Sequence, residues 1–101
     1  MIEKMIKREL RRANTIHRDR FASMHEGESV IREEIEEALD DFETMQTRHS
    51  WLWLSIKNRN EDIPFKSVEK IRVYAIETIK ELIQVAAMCD KFTKSFEEDE
   101  K

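Results

Sequence analysis

The sequence predicts an all-α protein, a helical bundle with three main helices and a short aromatic helix. Three observations carry this. Among 101 residues there is one glycine and one proline, whereas a β-sandwich needs turn residues every ~8–12 positions. Charged residues make up 40% of the chain, and most are long side chains that favour helix. Apolar residues recur at intervals of three and four through three long stretches.

The first helix is predicted over residues 1–20, where Ile2, Met5, Ile6, Leu10, Ala13 and Ile16 alternate with Lys and Arg. A break follows at 21–24. Ser23-Met24-His25-Glu26 has the S-x-x-E pattern of a capping box, in which the hydroxyl accepts from an early backbone N–H while the acid reaches back. Gly27 lies in that first turn. The second helix is predicted over about 24–46, with Ile31, Ile35, Ala38, Leu39, Phe42 and Met45 as its stripe. Trp51, Leu52, Trp53, Leu54 and Ile56 read as a separate short helix lidding the bundle. Asn58 to Pro64 is the clearest loop, with Pro64 near the next helix start. The third main helix, about 65–96, carries Val68, Ile71, Ala75, Ile79, Leu82, Ala86 and Cys89 on its main stripe. Ile76, Ile83, Val85 and Ala87 widen that stripe, as in a helix buried on several sides. Leu82 is expected in the core, where truncation to Ala would cost ~2–5 kcal/mol.

This length implies one domain, over 1–96, with 97–101 as an acidic, frayed tail. Such a chain has a thin core, so self-association as a dimer or tetramer is expected. The net charge is −4. Lys4, Lys7, Arg8, Arg11 and Arg12 cluster without interleaved aromatics, which ranks a nucleic-acid partner last. Cys89 is the only cysteine, which excludes an internal disulfide; its apolar surroundings predict a buried thiol. No apolar run approaches the ~18 residues of a membrane span, and the N-terminus does not read as a signal peptide, so the cytoplasm is the expected location.

Glu33-Glu34-Ile35-Glu36-Glu37 is the most informative run. At ~100° per residue, Glu34, Glu37 and Asp41 share a ~60° arc beside the apolar stripe, while Glu33, Glu36 and Asp40 point toward solvent. Adjacent like charges repel, and a divalent cation removes the repulsion. Glu77, Glu81 and Gln84 form a polar stripe on the otherwise apolar third helix, where polar groups need partners. If the two stripes face each other they form a cage of hard oxygen ligands suited to Mg²⁺ or Mn²⁺. A solvated acidic face remains the plain alternative. One glycine cannot build a P-loop or a G-x-G-x-x-G turn. No Glu-x-x-His of a di-iron bundle and no zincin motif occurs.

Phe21-Ala22-Ser23-Met24-His25-Glu26-Gly27, then Val30 to Glu37, and Lys80-Glu81-Leu82-Ile83-Gln84-Val85-Ala86-Ala87-Met88 together resemble the small MazG-like nucleoside triphosphate pyrophosphohydrolases found in phages and prophages. The resemblance covers roughly residues 20–42 and 78–92. It implies an all-α fold, Mg²⁺ held by E-x-x-E on one helix and E-x-x-D on another, and cleavage of (d)NTPs to monophosphate and pyrophosphate. Glu34 and Glu37 match the first motif. Glu81 matches the second, whose last acid is replaced here by Gln84, and the insertion between motifs is longer than usual for the family. The implied ligands are Glu34, Glu37, Glu81 and Gln84, with either Glu33 or Glu37 orienting the attacking water. Lys80, Lys91 and Arg32 are candidate phosphate partners, and Trp51 or Trp53 could stack on a base, though packing is the commoner role. The competing expectation is a catalytically impaired helical binding module, in which the missing acid marks lost hydrolysis.

Overall fold

A computed structural model of the chain describes residues 1–59 and 63–97. It is all-helical. Among the described residues there is no strand, and three helices follow one another: α1 (Ile2–Ile16), α2 (Met24–Lys57) and α3 (Ile63–Glu97). Two boundaries differ from those read in the sequence. The first helix stops at Ile16, where His17 is extended and its N–H donates to the Ala13 carbonyl. The aromatic segment is not a separate helix but the last turns of α2. No glycine or proline interrupts residues 46–57, so nothing there breaks the hydrogen-bond ladder. Pro64 sits in the first turn of α3, where its missing N–H costs nothing. The 60–62 part of the expected loop and the 98–101 part of the expected tail lie outside the described residues.

The chain forms two compact units, residues 1–36 with 81–101 and residues 37–80. In the first, α1 contributes Ile6, Leu10 and Ala13 to a core completed by Phe21, Ala87 and Met88, with Val30, Ile31, Ile83, Phe92 and Phe96 packed against it. Each large aliphatic side chain so buried contributes about 1.5–3 kcal/mol. Ile2 and Ile16, at the ends of α1, are exposed.

The capping box is present with one shift. Ser23 Oγ accepts from the Glu26 N–H at 3.1 Å, but Glu26 Oε1 accepts from the N–H of Ala22 rather than Ser23. The preceding loop is tied to the end of α3. The Phe21 N–H donates to Ser95 Oγ at 2.9 Å, and Arg20 donates to the Ser95 carbonyl. Gly27, inside α2, is buried because the helices meet there. A Cβ at this position would stand 2.5 Å from Phe92 Cδ2 and 3.0 Å from Phe21 Cδ2.

The second unit is a helical hairpin of the last part of α2 and the first part of α3. Small residues line its inside: Ala38, Ser55 and Ser67 are buried. Ser55 Oγ is satisfied by the Trp51 carbonyl at 2.8 Å. Met45, Leu52, Ile71 and Ile76 are half-buried, whereas Leu39, Phe42, Trp53, Phe65, Val68 and Ile79 are exposed.

Three expectations of the sequence are corrected by these positions. Leu82 is 55% exposed, so it is not a core residue. Cys89 is exposed, and neither Trp51 nor Trp53 is buried. The buried face of α3 in the first unit runs through Ala87, Met88, Lys91 and Ser95. That face is rotated from the Leu82–Ala86–Cys89 stripe, because α1 and the capping loop pack on the former side. No described helix is long and apolar enough to cross a membrane.

Gly27→Ala is expected to lower stability by up to about 2 kcal/mol: overpacking costs ~1–3 kcal/mol, against ~1 kcal/mol of helix propensity gained. Urea denaturation checks this, and a stabilised variant would contradict the close approach. Leu82→Ala in the isolated chain should change stability by no more than about 0.5 kcal/mol, as at other surface positions.

Candidate functional site

The contact of Gly27 with Phe92 sets the register of the paired segments of α2 and α3. Glu34 stands two turns beyond Gly27, and Gln84 about two turns before Phe92, which puts both side chains at one level when the helices run antiparallel. The Gln84 amide ends 2.6 Å from Oε2 of Glu34 and 3.0 Å from Oε2 of Glu81; with Nε2 turned inward it donates to both carboxylates. With Oε1 turned inward, three oxygens would face one another, which needs a cation between them. Glu37 follows Glu34 by one turn of the unbroken α2. Within the first unit, a carboxylate oxygen of Glu34 lies within 4.8 Å of one of Glu81.

Hard oxygen donors of this kind suit Mg²⁺ or Mn²⁺. Opposite ligands of Mg²⁺ stand about 4.2 Å apart, twice the ~2.1 Å bond. The 4.8 Å spread thus closes onto one ion with a few tenths of an ångström of side-chain motion. Glu34 and Glu81 could supply charge to such an ion, with Gln84 able to rotate its carbonyl inward.

Other acids in the two sequence stripes do not join. Glu33, Glu36 and Asp40, outside those stripes, are exposed as their helical positions predict. Glu77 pairs with Lys80 at 3.4 Å. Asp41 is not among the converging carboxylates.

Beside Glu34 and Gln84, the first unit opens a cleft of about 790 Å³. Glu33 and Glu34 line it, together with Arg12, Arg18, Arg20 and Lys91. Arg12 Nε and Nη2 are held by the Glu9 carboxylate at 2.5–3.1 Å. That hydrogen bond and the Glu9 charge push the Arg12 pKa further up, and the charge of Glu34 adds to them. Sequence reasoning named Lys91 without a position and missed the cleft roles of Arg12 and Arg20. For Lys91 a signal existed, since it shares a helical face with Gln84 and Met88. For Arg20 there was none, because its place depends on the loop tied to Ser95. Lys80 and Arg32 do not line the cleft.

Gln84→Glu removes the donor between two carboxylates and adds a third charge. It is expected to lower the stability of the metal-free protein by about 1–3 kcal/mol. A denaturant melt in chelator at pH 7 checks this; an unchanged midpoint would show that the amide does not bridge Glu34 and Glu81.

Comparison of the chain with protein-family models, with characterised proteins and with solved structures returned no match.

Proposed function

We propose that this protein is a divalent-metal-dependent nucleoside triphosphate pyrophosphohydrolase, converting (d)NTPs to (d)NMPs and pyrophosphate. The observation that carries the reading is the approach of Glu34 and Glu81 to the Gln84 amide, beside a cleft that also holds cationic side chains; Glu37, one turn beyond Glu34 on α2, completes the proposed ligand set. A triphosphate is a polyanion that bare carboxylates repel. Glu34, Glu37 and Glu81 would hold Mg²⁺ or Mn²⁺, which would offset that repulsion and supply positive charge for the displacement at phosphorus. Glu34, Glu37 and Glu81 hold and orient. Glu33, on the cleft wall and outside the cluster, accepts the proton of the attacking water as its oxygen bonds to the α-phosphorus. The bond to the bridging oxygen breaks and pyrophosphate departs. The sequence resemblance to MazG-like enzymes supports the same reaction.

A second reading is supported by Gln84 itself. Its amide can satisfy Glu34 and Glu81 without a cation, as suits a helical binding module that has lost hydrolysis. Pyrophosphate release from a panel of (d)NTPs with Mg²⁺ or Mn²⁺ separates the two: turnover supports the enzyme, and none with any nucleotide supports the module. On the enzyme reading, either metal raises the melting temperature, because a ligand bound only by the folded state stabilises it. Glu34→Gln with Glu37→Gln should abolish that rise and leave the metal-free fold intact. A rise retained in the double variant would place the metal elsewhere.

Self-association belongs to the same proposal. The outward Leu39, Phe42, Trp53 and Phe65 of the hairpin, and an apolar groove of about 600 Å³ between Ile31, Ile35 and Phe92, are the surfaces a second copy would cover. Sedimentation at ~100 µM should show a dimer or tetramer, since that concentration saturates any micromolar association. A strictly monomeric profile would contradict it.

A further inference from the structure

We propose that the inner wall of the cleft in the first unit binds the phosphoryl end of a polyphosphate anion, with the ammonium of Lys91 as its anchor. The inference deepens the hydrolase reading by saying where the phosphates go. Its anchor requires no metal, so the two can fail separately.

Lys91 is 4% exposed, yet it lines the cleft. A buried ammonium ordinarily has a carboxylate or several carbonyls around it, because an unpaired buried charge is costly. Here, among the described residues, the charged end faces the ring of Phe21, with Nζ 4.9 Å from the centroid. A π face attracts the charge but uses none of its three N–H donors as a carbonyl or carboxylate would. Ser95 Oγ donates to the Lys91 carbonyl at 2.7 Å and accepts from the Phe21 N–H, so the Lys91 backbone and the Phe21 segment beneath its ammonium are held together. A preordered cation with unused donors on a cleft wall is the arrangement that an oxyanion completes.

Four acids line the same cleft, and two of them are engaged away from Lys91: Glu9 is taken by Arg12, and Glu26 accepts from the Ala22 N–H as part of the α2 cap. Glu34 stands at the other end, against Gln84, with Glu33 preceding it on α2. Arg18 also lines the wall. Lys91 follows Gln84 on α3 by about 10.5 Å of helix rise. A chain of phosphoryl groups can reach from the anchor toward the carboxylate cluster, whereas a single phosphate would occupy one end. This points to a polyphosphate chain rather than an isolated phosphate.

The test is a titration of the full chain with inorganic triphosphate in the presence of EDTA, read as melting temperature and by calorimetry. Wild type should show a saturable rise. Lys91→Met keeps the unbranched apolar stem and removes the charge. It should melt no lower than wild type without anion, yet bind triphosphate about ten-fold or more weakly. Lys70→Met, an exposed lysine of the second unit, should keep the wild-type response. Backbone amide shifts of the wild-type chain should change at Phe21, Met88 and Lys91, which tests the site even if Lys91→Met fails to fold. No rise in wild type, equal loss in both lysine variants, or shift changes confined to other residues would overturn the proposal.

Discussion

The close approach at Gly27 is the constraint on which the first unit depends. A side chain there would overlap the ring of Phe92 and press on Phe21. Only a backbone without Cβ lets α2 come near enough for both rings to cover it. The same contact fixes how far α2 slides along α3. A slip of one residue would rotate Glu34 by about 100° relative to Gln84 and separate them. Ser95 reinforces the register from the other end, accepting from the loop that leads into α2. Core packing and the polar cluster therefore follow from a single helix–helix contact.

Gln84 governs the electrostatics of that cluster. Two carboxylates about 4 Å apart repel by about 1 kcal/mol in water and about 4 kcal/mol at an effective dielectric constant of 20. Glu34 and Glu81 are half-buried, between those limits. An amide whose N–H groups point at both oxygens offsets the repulsion without a charge of its own. An acid at position 84 would strengthen attraction for a cation and burden the metal-free fold. The amide trades one for the other: on the proposed metal binding, a cation would compete with a hydrogen-bonded state that four carboxylates would not have.

The helical class was legible because composition leaves no other option, and Ser23-x-x-Glu26 marked the start of α2 because capping chemistry is local. The pairing of Glu34 with Glu81 and Gln84 was legible for a different reason: each stripe interrupts an apolar surface, and polar groups so placed seek company. Periodicity failed where two apolar faces compete. It located the stripe through Leu82 and Cys89 but could not tell that packing in the first unit would use the face through Ala87 and Met88. The aromatic run 51–56 reads in sequence as a separate short helix, yet helix ends are set by breakers, and none occurs there. Lys91 looked like any surface lysine. Its burial comes with Phe21, far from it in sequence, which Ser95, one turn further along α3, holds in place.

Length and small buried residues explain why the two units differ. The first unit has α1 as a third element and buries Ile6, Leu10, Phe21 and Met88. The hairpin has two helical segments, and its buried side chains include Ala38, Ser55 and Ser67. Burying an alanine and two serines removes little apolar area from water, at about 25 cal/mol per Å², and Ser55 returns its hydroxyl to its own helix. Two helices in contact through such residues approach closely but gain little by it. Meanwhile the large side chains on the hairpin, Phe42, Trp53, Phe65 and Val68, keep their area in water. In a chain this charged, so many apolar groups on one helical pair exceed what helix propensity requires, because Lys, Glu, Gln and Arg propagate a helix as well or better. Their free energy would be realised only if something covered them, which is the physical basis of the self-association proposed above.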